Sequence, residues 1–218
     1  MTQRRGSITF RRGDRLFKYV DQFVILNAVY TIGSLWASKM LGEGLRAIDG
    51  SGIDSQIFSL SLSVPLGGVL EDAFNEKPAA QRTIIIETGH QAPAMEASGA
   101  PFSQGFNSVV WLMITPIFVN FYESHRPWIE QHHGFQKTWP DTFYFANLIR
   151  NAISHGGKLY FKHVPVRTAI WQHLRYDHSD DKKQIIGAGG IFSIADLFFL
   201  MLDTSDELDR LGCPADPS

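Results

Sequence analysis

Hydrophobic positions recur at helical spacing along most of this chain, and one segment separates them sharply from polar ones. At about 100° per residue, a helix over Pro140 to His155 puts Leu148, Ala152, Phe145, Ile149, Ile153 and Ala146 on one arc. Arg150, Ser154, Asn147, Asn151, Tyr144 and His155 fall on the other. The apolar arc is an ordinary core stripe. The polar arc holds neither Glu nor Lys; it carries a guanidinium, an imidazole, two carboxamides and two hydroxyls, which bind anions and move protons. Gly156-Gly157 is expected to end this helix.

The same spacing predicts helices over Asp14 to Leu41, Ser55 to Phe74, Pro78 to Thr88 and Phe106 to Gln131. Pro65 and Gly67-Gly68 interrupt the second, and Pro116 and Pro127 bend and end the last. Phe58 to Val64 alternates and Thr83 to Ile86 is β-branched, so either could instead be a strand. Gly89 to Gly105 reads as a loop. The character changes after Gly157. Lys158 to Phe161, Thr168 to Tyr176 and Gln184 to Ile186 are strand-like, with Asp177 to Lys183 as a turn. Ser193 to Leu202 resumes as a helix, followed by an acidic, solvated end over Asp203 to Asp209. The expected architecture is mainly α, one domain over 1–218, with a hairpin or three-stranded β insertion near 158–187.

Composition narrows function little. The chain has 218 residues, 44% hydrophobic, with net charge −2, enough for a substantial core and without the bulk charge of a nucleic-acid or membrane binder. A single cysteine, Cys213, excludes an internal disulfide and suits a cytoplasmic setting. Gln22 to Ser38 and Pro101 to Tyr122 lack charged residues, but both contain polar or breaking residues, and no membrane span is expected. Arg4, Arg5, Arg11, Arg12, Arg15 and Lys18 form a basic N-terminal stretch, either a phosphate-binding arm or a solvated terminus. Glu123, His125, His132 and His133 match no metal-ligand spacing, and Gly187 to Gly190 lacks a phosphate-loop lysine. No metal and no cofactor is expected.

An Arg is followed by a His four to six positions later at Arg126–His132, Arg167–His173 and Arg150–His155. Only the last pair lies on a clean amphipathic helix with polar neighbours. The chemistry that fits it is metal-free phosphodiester cleavage by a ribose 2′-hydroxyl. His can take or give the proton near neutral pH. The planar Arg fork can hold the phosphate as negative charge grows, and Asn147 and Asn151 can orient the groups. One His offers one proton-transfer group where acid-plus-base work wants two, so pairing two copies of the helix about a twofold axis is attractive.

Leu148-Ile-Arg-Asn-Ala-Ile-Ser-His155 resembles the Arg–polar–x3–His signature of the HEPN superfamily. The resemblance is specific over about ten residues. It implies an all-helical, dimeric bundle and a metal-independent endoribonuclease, with Arg150 and His155 catalytic and Asn151 supporting them. Asn147, Ser154 and Tyr144 would contact the substrate. It also implies a prokaryotic defence or toxin–antitoxin setting, with an antitoxin or defence partner. A non-catalytic HEPN protein that binds nucleotide, RNA or a protein partner is the alternative, and the β insertion departs from the minimal bundle.

Overall fold

A computed structural model of the chain describes residues 6–40, 52–54, 59–63, 84–89, 101–161, 163–165, 167–187 and 190–215. The chain is mainly helical, as expected. It divides into two compact units, residues 1–113 and 114–218.

The first unit contains strand β1 (Gly6–Phe10), helix α1 (Phe17–Met40), strands β2 (Gly52–Asp54), β3 (Ser59–Ser63) and β4 (Ile84–Gly89), and the start of helix α2 (Pro101–His133). Leu16, Phe17, Tyr19, Val20, Phe23 and Val24 are buried at helical spacing. The four strands form an antiparallel sheet in the order β1-β4-β3-β2, with Ile8 opposite Ile86 and Leu62 opposite Ile86 on the other side. This sheet corrects the helices expected over Ser55 to Phe74 and Pro78 to Thr88. The Ser-Leu-Ser-Leu-Ser alternation and the three successive isoleucines favour a pleated surface over a helix. The remainder of both expected helices lies outside the described residues, as do residues 90–100 of the expected loop. Pro101 already belongs to α2. The N-terminal basic stretch is not a free arm over its described part. It includes β1, and Arg15 is buried.

The second unit is built on the C-terminal part of α2, helix α3 (Asp141–Ser154), the hairpin β5 (Ala169–Trp171) and β6 (Leu174–Tyr176), and helix α4 (Ile194–Arg210). Ile114, Ile117, Phe118, Phe121, Tyr122, His125 and Ile129 make one buried stripe along α2. Neither proline stops this helix. Pro116 and Pro127 lie on its exposed side, where a carbonyl left without its usual donor can meet water. Helix α4 runs eight residues beyond the expected Leu202, and its acidic end is only partly solvated. Thr204, Ser205 and Leu208 are buried, and Ser193 and Asp196 close a reciprocal capping box at its start. Cys213, just past its end, is buried, with its N–H donating to the Leu208 carbonyl.

The β insertion is present with a different turn. Its hairpin pairs Ala169 with Tyr176 and Trp171 with Leu174, and reverses at Gln172-His173. Gln172 takes a left-handed φ of 54° without the Asn-Gly or Asp-Gly that usually marks such a turn. Asp177 to Lys183 holds a short 3-10 turn capped by Asp177, not the reversal itself. Lys158 and Gln184 meet in an isolated bridge. The hairpin packs through an aromatic cluster. The Phe145 ring of α3 lies 5.7 Å from Trp171, 5.9 Å from Tyr176 and 6.2 Å from Phe192. Asp203 of α4 ties it down by accepting from Trp171 Nε1 at 2.9 Å and Gln172 Nε2 at 3.0 Å.

Helix α3 ends as its two glycines predict. Gly157 N–H donates to Ala152 at 2.8 Å and Gly156 N–H to Ile153 at 3.3 Å, the two bonds of a Schellman cap, with Gly156 left-handed at φ 68°. The two positions differ in space. A Cβ on Gly156 meets nothing, whereas one on Gly157 falls 2.3 Å from the Ile186 carbonyl oxygen. Gly156→Ala is therefore expected to lower unfolding free energy by about 1–2 kcal/mol, the cost of a left-handed Cβ. Gly157→Ala is expected to lose clearly more, since the backbone of Ile186 must also shift. Urea denaturation of both variants measures this, and equal losses would contradict the close approach.

Candidate functional site

Helix α3 is more deeply buried than its polar arc suggests. Phe143 to Ile149 are all buried, and so is Ala152. Tyr144 and Asn147, expected to face outward, are only 8% and 7% exposed. Each found a partner on a neighbouring element. The Tyr122 hydroxyl of α2 donates to Asn147 Oδ1 at 2.9 Å, inside the core. The Tyr144 hydroxyl donates to the Arg167 carbonyl at 3.3 Å, and its ring lies 4.5 Å from the Arg167 guanidinium. Arg167 also donates to Asp141 at 2.7 Å and to the Trp139 carbonyl, so it staples the entry of α3 to the insertion.

Beyond Asn147 the arc opens. Arg150 is half-buried and its Nε lies 2.5 Å from Glu123 Oε1 of α2. That contact is an ion pair without hydrogen-bond alignment. Arg150 Nη1 donates to Asn151 Oδ1 at 3.2 Å. Its Nη2 has no partner among the described residues. Asn151 is half-buried, and Ser154 is exposed with its hydroxyl turned back to donate to the Arg150 carbonyl at 3.3 Å. His155 is the exposed C-cap residue, with φ −109° and ψ 30°. Its ring nitrogens bond to no protein group among the described residues, and its ring lies 4.3 Å from that of Tyr160, tilted by 32°. The arc therefore splits lengthwise: Tyr144 and Asn147 belong to the packing, while Arg150, Asn151, Ser154 and His155 gather at the open end.

Glu123 and Tyr160 were not singled out by the sequence as partners of this site. Glu123 is the first charge after the long uncharged stretch of α2, and it lies beside the buried stripe that continues through His125 and Ile129. Tyr160 is signalled only by alternation after Gly157, with Leu159 buried and Tyr160 exposed. The other two Arg–His pairs are not brought together. Arg126 pairs with Glu130 at 2.8 Å, His132 stacks on Trp128 at 4.0 Å between ring centres, and His173 sits exposed in the hairpin turn. No group of three or more His, Cys, Asp or Glu placed to hold a metal occurs among the described residues. Nor is any described helix long and apolar enough to cross a membrane. No family model matches the chain, and no curated protein or solved structure is similar to it.

Burial holds the Tyr122 phenol protonated, pushing its pKa well above the usual value near 10. Tyr144 shifts the same way, and Tyr176 is pushed up to about 12. The unfolded chain ionises these phenols near pH 10 and the folded chain only at higher pH. Their contribution is thus complete below pH 10 and is lost as pH rises from there toward each folded pKa, with a limiting slope of about 1.4 kcal/mol per pH unit for the deeply buried Tyr122. Tyr122→Phe is expected to remove one such slope. Near neutral pH it should cost about 1–3 kcal/mol by leaving buried Asn147 Oδ1 unpartnered, and adding Asn147→Leu should recover part of the loss. Denaturant titrations from pH 7 to pH 11 read both effects. Wild-type stability and an unchanged alkaline slope in Tyr122→Phe would rule out the buried bond.

Proposed function

We propose that the open end of helix α3 is the active site of a metal-independent endoribonuclease of HEPN type, as the Arg150–Asn151…His155 motif implies. One observation carries the reading. Arg150 is pre-oriented through Nε and Nη1 while Nη2 is left for a ligand, and His155, five residues on, presents an imidazole with both nitrogens open. Arg150 holds the scissile phosphate and stabilises the charge that builds on it. His155 moves the proton, either from the 2′-hydroxyl or to the leaving 5′-oxygen. Asn151 fixes the Arg150 fork, and Ser154 borders the phosphate. Tyr144 and Asn147, assigned to substrate from the motif, support the site by holding α3 against its neighbours.

The reaction breaks one P–O bond and forms another. The 2′-oxygen attacks phosphorus, the 5′-oxygen departs with a proton, and a 2′,3′-cyclic phosphate and a 5′-hydroxyl result. A single His155 is a single proton-transfer group. A homodimer that apposes the open ends of two α3 helices would supply the second. The setting that goes with this reading is a cytoplasmic toxin or defence nuclease controlled by an antitoxin or other partner. In the second reading the same face binds nucleotide, RNA or a protein partner without cleavage. The half-buried Arg150–Glu123 pair favours it to the extent that the carboxylate occupies the guanidinium.

His155→Ala and Arg150→Ala are each expected to lower cleavage of single-stranded RNA by about 10²–10⁴-fold, with unchanged circular dichroism. Activity should persist in excess EDTA, and products should carry cyclic phosphate ends. DNA and 2′-O-methyl RNA should resist cleavage. Products with 5′-phosphate ends, loss of activity in EDTA, or full activity in both variants would reject the mechanism. Light scattering tests the shared site, because a monomer that still cleaves RNA excludes it.

A further inference from the structure

The insertion that follows α3 is, like the N-terminal stretch, a basic segment of a chain whose net charge is negative. Residues 155–183 hold six Lys and Arg against three Asp, with four of the eight His, while the whole chain has net charge −2. Two of those cations are committed: Arg167 to Asp141, and Lys183 to Asp180 at 3.2 Å. Lys158 and Lys182 are exposed and bound to no carboxylate among the described residues. The backbone beneath them is fixed. Leu159 N–H donates to the Lys183 carbonyl, Lys182 N–H to the Leu159 carbonyl and Phe161 N–H to Asp181 Oδ1, each at 2.9 Å. Gly157 and Leu159 are buried, whereas Lys158 and Tyr160 between and after them are exposed.

Tyr160 is not explained by packing. The residue is 44% exposed, and among the described residues its hydroxyl has no hydrogen-bond partner and its ring meets only that of His155. An aromatic face held on a rigid backbone, beside cations free to meet phosphates, is how proteins grip unpaired bases. We infer that the insertion is the binding surface for single-stranded RNA. Tyr160 stacks an unpaired base next to His155, and Lys158 and Lys182 hold the flanking phosphates. The inference rests on the nuclease reading for the identity of the strand and names its substrate as unpaired, since a duplex hides its base faces. An acidic protein partner would need the lysines but not the ring.

The test uses the full chain and a fluorescent single-stranded 2′-O-methyl RNA, which can bind but not be cleaved, followed by anisotropy. Tyr160→Ala and Tyr160→Leu should each weaken binding about 10-fold or more, and Tyr160→Phe should bind as wild type. Replacing both Lys158 and Lys182 by Gln should reduce the slope of log affinity against log salt by about 1.4. Circular dichroism confirms that each variant is folded. Absence of binding by the wild type, wild-type binding by folded Tyr160→Leu, or equal weakening toward polyaspartate or duplex RNA would overturn the inference. The two readings fail separately. Cleavage with Tyr160-independent binding rejects this surface and keeps the nuclease, whereas Tyr160-dependent binding without cleavage keeps the surface and rejects the nuclease.

Discussion

The burial of helix α3 from Phe143 to Ile149 is the constraint on which the second unit depends. A helix covered on nearly every side can carry a polar group only where a neighbour answers it. Asn147 is therefore matched to Tyr122 of α2, and Tyr144 to Arg167 of the insertion. These contacts fix the rotation of α3 about its own axis. The aromatic cluster around Phe145 holds the hairpin against it, and Asp203 anchors the hairpin to α4. Removing a polar partner here leaves a buried atom unanswered, which costs more than the lost bond itself.

The same constraint decides where chemistry can occur. Beyond the buried stretch, the last turn of α3 is held yet open to solvent, and the Schellman cap at Gly156-Gly157 turns the chain away just past His155. The helix thus presents His155 at its rim without burying it. Gly157 has a second consequence. Because a side chain there would strike Ile186, the strand after the turn can run close enough for Leu159 to bond to the 182–183 backbone. That pairing aims Tyr160 outward against the His155 ring. One glycine therefore links the end of the helix, the base of the insertion and the surroundings of the imidazole.

Much of this was legible in the sequence, and the failures have physical causes. The bounds of α3, its glycine stop and the resumption of helix near Ser193 follow from 3.6-residue periodicity and capping residues, which act locally. The polar arc differs from an ordinary wet surface, since Tyr144 and Asn147 are buried and partnered. Its meaning was split, because a helical wheel shows which residues share a face but not what covers it. Tyr144 and Asn147 look the same as Asn151 and Ser154 until α2 is in place. The strands at Ser59–Ser63 and Ile84–Gly89 stay ambiguous in the sequence because short apolar runs satisfy both periods. Only the pairing of β3 and β1 on either side of β4 decides between them. The Gln172 turn lacked its usual residues, since the tie from Asp203 holds a conformation that local preference alone would not select.

Glu123 gives the site its electrostatic logic. A half-exposed Arg–carboxylate pair contributes little to stability, and this one lacks the alignment of a strong charge-assisted bond. Its stronger effect is on geometry. It pins Arg150 at Nε while Asn151 engages Nη1, so the outer nitrogen Nη2 is set in direction before any ligand arrives. In the proposed reaction this lowers the conformational entropy lost when the fork meets a phosphate. A carboxylate so close also makes the resting site nearly neutral, which weakens non-specific capture of polyanions by Arg150 alone. Long-range attraction then falls to the uncommitted lysines of the insertion, and orientation to Arg150. In the proposed reaction, that division would suit action on a strand already held nearby.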